Sequence, residues 1–190
     1  THIRTLDYFT YGGFNGGNLV ILAARPSVGK TTIAMQIAQA ASADNNKTLV
    51  FSLEMTKKEL VQRLLQSTGL VSQYELVTHD INWDNYERAL GMVVNSNLII
   101  NDDAYNIHDI RHKIITSVKM QGVKMVLIDY LQLMKGANPM LSKNDQVGEL
   151  TSALKQTAKQ CNIPIIVLSQ LSRESVRENR SPQLYDLRDS

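Results

Sequence analysis

Ala24-Arg25-Pro26-Ser27-Val28-Gly29-Lys30-Thr31 decides the fold, because this stretch joins an apolar run to a helical pattern. The apolar run over residues 18–23 predicts a buried strand, and residues 31–43 carry apolar side chains at helical spacing. A strand, a glycine-containing turn and a helix in this order present backbone N–H groups and a helix N-terminus to phosphate oxygens. We therefore predict a nucleotide phosphate site here, in a loop that begins with Ala24 where glycine is usual.

The residue types in this loop have chemical reasons to be there. Gly29 allows the backbone to approach the phosphates closely. Lys30 supplies a positive charge to the β- and γ-phosphates, and the Thr31 hydroxyl is a Mg²⁺ ligand. The predicted nucleotide-binding residues are Ala24, Arg25, Pro26, Ser27, Val28, Gly29, Lys30, Thr31 and Thr32.

Outward from the loop, strand and helix patterns alternate along the chain. Thr56 with Glu59, and Ser72 with Glu75, have the spacing of capping boxes that begin helices. The strands so separated are continuously apolar, which is typical of a sheet buried on both faces. The pattern predicts an α/β fold with a mostly parallel sheet and helices on both faces. Its further strands are expected at residues 48–53, 98–101, 124–129 and 165–169.

Three polar residues lie at the ends of predicted strands, and the carboxyl ends of parallel strands share one edge. Asp129 supplies a carboxylate ligand for Mg²⁺ beside the Thr31 hydroxyl. Glu54 is either the general base that activates water or a glutamate that favours the positive end of the next helix. Gln170 is either a sensor of the γ-phosphate or a structural residue.

Composition is ordinary for one globular domain. The 190 residues include 20 Lys and Arg against 18 Asp and Glu, a net charge of +2, and 43% hydrophobic residues, which excludes disorder as the main state. No apolar run approaches the ~20 residues that cross a bilayer, so no membrane contact is expected. The single cysteine, Cys161, cannot form an internal disulfide, which fits the cytoplasm.

Five blocks of sequence stand out along the chain: residues 24–31, 51–55, 128–134, 168–173 and 186–190. In this order they resemble the DnaB-type replicative DNA helicases of bacteria and phages. The resemblance spans nearly the whole chain and implies a RecA-like P-loop NTPase fold. It also implies that residues 1–190 are one helicase ATPase domain, incomplete at its C-terminus and without the N-terminal domain that contacts primase.

The resemblance implies an ATP-dependent replicative DNA helicase motor that uses ATP and Mg²⁺. Members form hexameric rings, hydrolyse ATP between subunits, move 5′-to-3′ on single-stranded DNA, and work with primase and a helicase loader in the bacterial cytosol. The implied roles are catalysis by Glu54 and Gln170, metal binding by Thr31 and Asp129, and DNA binding by Arg188 and Asp189.

Two other functions remain open from the sequence. A RecA-like recombinase shares the phosphate loop and the sheet, and closed rings rather than filaments distinguish the helicase from it. An accessory or loader protein that binds ATP without hydrolysing it has no need of a carboxylate at Glu54. The helicase motor is the leading hypothesis.

Overall fold

The computed structural model describes residues 1–25, 27–136 and 142–171. Its described part contains one sheet of five strands in the order β1-β5-β4-β2-β3, and every neighbouring pair is parallel. The predicted α/β fold with a parallel sheet is therefore confirmed. The strands are β1 (Leu19–Ala24), β2 (Thr48–Ser52), β3 (Leu98–Asn101), β4 (Met125–Asp129) and β5 (Ile165–Gln170).

Helices cover both faces of the sheet, as the continuous apolarity of the strands predicts. The helices are α1 (Arg4–Phe9), α2 (Lys30–Ala43), α3 (Lys57–Ser67), α4 (Gln73–Thr78), α5 (Trp83–Val94), α6 (Ile107–Gln121) and α7 (Lys143–Cys161). Alternate side chains of β4 enter different cores: Val126 and Ile128 pack with α6 and α7, whereas Met125 and Leu127 pack with α2 and α3. The period of two along a strand explains why every position of β4 is buried.

The helix boundaries follow local signals in most places. Both predicted capping boxes are present, with Thr56 and Ser72 each bonded reciprocally to the glutamate three residues later. The segment after Ser72 forms two helices, because His79 takes a left-handed conformation with φ of 59° and ends α4. Asn82 then caps the start of α5 through its side chain. None of the helices in the described ranges is long and apolar enough to span a membrane.

The strand order determines where the candidate site lies. β5 and β4 are adjacent at the middle of the sheet, with β1 beyond β5 and β2 beyond β4. Because all five strands are parallel, the residues that follow β1 and β2 emerge at the same edge as the last residues of β4 and β5. The phosphate loop, Glu54, Asp129 and Gln170 are thereby brought to one edge, although they are far apart in sequence.

Candidate nucleotide-binding site

The phosphate loop has the backbone geometry that its sequence predicts. It leaves β1, and two of its residues, Ser27 and Gly29, have positive φ angles of 63° and 91°. Gly29 is the residue that caps the start of α2, and a Cβ built on it meets no atom within 4 Å. Glycine is therefore required there by its left-handed backbone and not by crowding, and the space in front of α2 is open.

The loop forms one wall of an open cleft of about 390 Å³. The cleft is also lined by Glu54 and Met55 after β2, by Arg63 on α3 and by Gln170 at the end of β5. Val28 is a predicted binding residue whose side chain does not line the cleft and is 61% exposed, and Pro26 lies outside the described residues. The loop residues that do line the cleft are Ala24, Arg25, Ser27, Gly29, Lys30, Thr31 and Thr32.

Thr31 and Asp129 form the deepest part of the site. The Thr31 hydroxyl donates to Oδ2 of Asp129 at 2.8 Å, and Asp129 is only 4% exposed. The other carboxylate oxygen, Oδ1, is buried without a hydrogen-bond partner among the described residues. Burial raises the pKa of Asp129, against the opposing effects of the Thr31 hydrogen bond and the Lys30 charge. A buried carboxylate oxygen without a partner costs free energy that a nearby cation would offset.

These residues fit a Mg²⁺ ion. A hydroxyl and a carboxylate are hard oxygen ligands of the kind that Mg²⁺ binds, usually with one or two protein groups and the phosphates of a nucleotide. Thr31 lines the cleft, and Asp129 is hydrogen-bonded to Thr31 without lining the cleft itself. The unpartnered Oδ1 of Asp129 is the observation in the structure that carries this assignment.

Lys30 is held by an aromatic ring. Its ammonium nitrogen lies 4.5 Å from the centroid of the Tyr130 ring, which is a cation–π distance. Burial lowers the pKa of Lys30, and the charges of Asp129 and Glu54 oppose that shift. No ion pair of Lys30 occurs within the described part of the chain. The Lys30 charge is therefore oriented in the cleft without being neutralised by a close carboxylate.

Glu54 is exposed and sits in a turn that several hydrogen bonds fix. Just before it, the Leu53 N–H donates to the carbonyl oxygen of Asp129 at 2.7 Å. The Ser52 hydroxyl donates to the carbonyl oxygen of Met55 at 2.7 Å, which closes the turn around Glu54. The position of the Glu54 backbone beside the cleft is thus set by its neighbours and by β4.

The N-terminus of α3 has other acidic partners. The Thr56 N–H donates to Glu59 at 2.8 Å, and the Lys57 N–H donates to the Asp102 carboxylate at 2.7 Å. These two carboxylates stabilise the positive end of α3. Glu59 and Asp102 therefore already supply the acidic groups that the structural alternative for Glu54 would assign to this helix end.

Tyr130, Met55 and Arg63 carry no role predicted from the sequence, although Met55 and Tyr130 lie within blocks that resemble the family and Arg63 matches an arginine position in it. Tyr130 follows Asp129 directly, but its contact with Lys30 depends on tertiary structure and has no motif of its own. The predicted DNA-binding residues Arg188 and Asp189 lie outside the described residues and remain predictions.

A parallel α/β sheet with a phosphate loop, a buried acidic residue at the end of a neighbouring strand and an open cleft defines a P-loop nucleotide-binding domain. The chain belongs to the DnaB-like helicase C terminal domain family, which it matches over residues 1–190. The family resemblance predicted from the sequence is therefore confirmed.

Similar proteins agree with this membership. The chain is 37% identical over 197 residues to the replicative DNA helicase DnaB of Geobacillus stearothermophilus, a match that includes 100% of this chain and 43% of the relative. It is 36% identical over 193 residues to the replicative DNA helicase DnaB of Helicobacter pylori (strain ATCC 700392 / 26695), covering 97% of this chain and 39% of that relative. The chain thus spans about two fifths of the length of these two relatives.

Solved structures confirm the RecA-like fold expected of this family. One of them, described as an ATPase domain, superposes with a TM-score of 0.89 at 35% identity, covering 98% of this chain and 69% of that chain. A DnaB-like replicative helicase, described with its interactions with primase, superposes with a TM-score of 0.88 at 34% identity. That match covers 98% of this chain and 46% of the solved one.

Replacing Lys30 with alanine tests the phosphate site. We expect Lys30→Ala to weaken the binding of Mg²⁺-ATP by about 10- to 150-fold, because a hydrogen bond to a charged group contributes about 1.5–3 kcal/mol. Titration with a fluorescent ATP analogue measures the change. Lys119→Ala is the matched control, since it removes an equal charge from a position at the end of α6, outside the cleft. Equal affinities of the Lys30 and Lys119 variants would contradict the assignment.

Proposed function

We propose that this chain is the ATPase motor domain of a replicative DNA helicase, which hydrolyses ATP to move along single-stranded DNA and unwind duplex DNA. The observation that carries the proposal is one cleft that contains the phosphate loop, the Thr31–Asp129 pair and the Glu54 carboxylate. Membership in the DnaB-like helicase C terminal domain family supports it.

Nucleotide binding is the first step. The open N-terminus of α2 and the backbone of the phosphate loop bind the phosphates, and Lys30 pairs with the terminal phosphate groups. When the Lys30 ammonium group moves from the Tyr130 ring to the phosphate oxygens, it loses a cation–π attraction of about 0.5–2 kcal/mol. Thr31 and Asp129 hold Mg²⁺, which when bound neutralises charge on the phosphate oxygens.

Glu54 is the general base in this proposal. Its carboxylate is exposed in the cleft, where water has access to it, and the turn from Ser52 to Met55 fixes its position. The caps provided by Glu59 and Asp102 support a role other than stabilising α3. Gln170 at the end of β5 contacts the terminal phosphate and joins the nucleotide cleft to the residues that follow it, which include the predicted DNA-binding residues Arg188 and Asp189.

The proposed assembly is a homohexameric ring around single-stranded DNA, with primase and a helicase loader as partners of the whole protein in the bacterial cytosol. A similar helicase solved in the context of its interactions with primase supports the primase partner. Residues 1–190 form one ATPase domain of this assembly. In it, each cleft requires an arginine from the neighbouring subunit, a type of group that raises the rate of phosphoryl transfer by about 10³–10⁵.

The substitution Glu54→Gln in the full-length protein tests the hydrolytic function. Binding of Mg²⁺-ATP is expected to persist, while DNA-stimulated phosphate release falls by about 10²–10⁴, the usual contribution of a general base. The same exchange at Glu59 is a matched control, because glutamine also satisfies the capping box. A wild-type rate for Glu54→Gln would contradict the assigned base. Binding of ATP without any release of phosphate by the wild type would favour the non-hydrolysing accessory protein instead.

A translocating motor holds the phosphates of DNA and not its base edges, so its affinity should depend on salt and not on sequence. We expect Arg188→Ala to weaken single-stranded DNA binding on every sequence and to reduce the salt slope by about 0.7, which corresponds to one phosphate contact. Fluorescence anisotropy on oligonucleotides of differing sequence measures both quantities. A strong preference for one short sequence contradicts the proposed motor.

A further inference from the structure

β5 continues past the end of its pairing with β4. The last paired residues are Ile128 of β4 and Val167 of β5, and β4 itself ends at Asp129. The chain then turns away into a short 3₁₀ helix, Leu131–Leu133. The backbone of Gln170, at the end of β5, thus needs another partner on the side that β4 has left.

The side chain of Gln132, in that 3₁₀ helix, provides the partner. Its Oε1 accepts a hydrogen bond from the N–H of Gln170 at 3.3 Å, and its Nε2 donates to the carbonyl oxygen of Gln170 at 3.1 Å. The Nε2 also donates to the Ser169 hydroxyl at 3.0 Å. These two bonds replace those that a further peptide group of β4 would make to Gln170. The Ser169 hydroxyl also lies 3.5 Å from the carbonyl oxygen of Gln170, so the N–H of Gln170 depends on Gln132 more than the carbonyl oxygen does.

On its other side, Gln170 is tied to the phosphate loop. It lies beside Ala24 in the register of β1 and β5, and the Leu171 N–H donates to the carbonyl oxygen of Ala24 at 3.1 Å. The end of β5 is thus bracketed by the first residue of the phosphate loop and by Gln132. Gln170 itself lines the nucleotide cleft, whereas Gln132 is not among the described residues that line it.

The two-way contact requires a primary amide of this length. The N–H and the carbonyl oxygen of Gln170 need an acceptor and a donor respectively, and an ionised glutamate has no donor. Leucine has neither group, and asparagine is shorter by one methylene. A backbone group left without a partner at this half-buried position weakens the local structure, because the lost bond is not fully replaced.

We propose that Gln132 is a positioning residue, which holds the backbone of Gln170 so that the Gln170 side chain stays in the nucleotide cleft. This inference rests on the proposed function, because the residue that Gln132 positions belongs to the same hydrolytic site. Gln132 does not itself line the described cleft, so it acts through Gln170. The segment from Asp129 to Gln132 consequently supports both the metal side and the terminal phosphate side of the cleft.

Amide hydrogen exchange, measured without nucleotide, tests directly whether Gln132 holds the backbone of Gln170. In Gln132→Leu we expect the Gln170 N–H to exchange about five- to tenfold faster, as the loss of one backbone hydrogen bond allows. The Leu171 N–H, bonded to Ala24, serves as an internal control and should change by less than about twofold. Unchanged exchange at Gln170, or equal acceleration at both amides, would overturn the proposal.

A kinetic double-mutant cycle in the full-length protein tests the consequence for hydrolysis. Gln132→Leu should lower kcat by about tenfold and leave the KM for Mg²⁺-ATP within about twofold, because the phosphate loop is intact. In a Gln170→Ala background the same change should have no further effect. Equal losses in both backgrounds, or an unchanged kcat, would contradict action through Gln170.

Two further variants keep the result interpretable. Gln132→Met keeps an unbranched side chain of similar length without adding a charge, and it removes both the donor and the acceptor, so it should reproduce the kinetic loss in a folded protein. Gln39→Leu is the matched control, since it removes a similar amide-to-serine bond, from Gln39 to Ser67 at 2.8 Å, outside the cleft. Absence of hydrolysis by the wild type would contradict the proposed function. The exchange measurement would still show whether Gln132 holds the backbone of Gln170.

Discussion

The hydrogen bond from the Thr31 hydroxyl to the Asp129 carboxylate joins the first turn of α2 to the end of β4 across 98 positions of sequence. It fixes the first turn of α2 relative to the sheet, beside the buried Asp129 carboxylate where we propose that Mg²⁺ binds. It also leaves Asp129 Oδ1 without a partner in the described structure, at a position that is almost completely buried. A buried carboxylate oxygen without a partner costs free energy, which the proposed Mg²⁺ would offset.

The residues that follow Asp129 extend this arrangement to the rest of the cleft. Tyr130 contacts Lys30 through its ring, and Gln132 holds the backbone of Gln170. The carbonyl oxygen of Asp129 accepts from Leu53, immediately before Glu54. A single short segment therefore touches the phosphate loop, the end of β5 and the turn that carries the candidate base. Such contacts place the groups of the cleft on rigid elements, which is what electrostatic catalysis requires.

The sequence was sufficient for the features that depend on local pattern. The apolar run ending in Asp129 predicted both the strand and the position of its carboxylate, and the capping boxes at Thr56 and Ser72 are present as predicted. The contacts of Tyr130 and Gln132 had no such signal, because they join residues from different strands and helices. The break at His79 was also missed, since a left-handed residue other than glycine leaves little trace in sequence.

The most direct test is a crystal structure of this chain with Mg²⁺ and a non-hydrolysable ATP analogue. We predict the triphosphate along residues 24–31, the metal adjacent to Thr31 and the free oxygen of Asp129, and the terminal phosphate between Lys30 and Gln170 with Glu54 facing it. A nucleotide bound outside this cleft, or a metal ion held without either Thr31 or Asp129, would contradict the account.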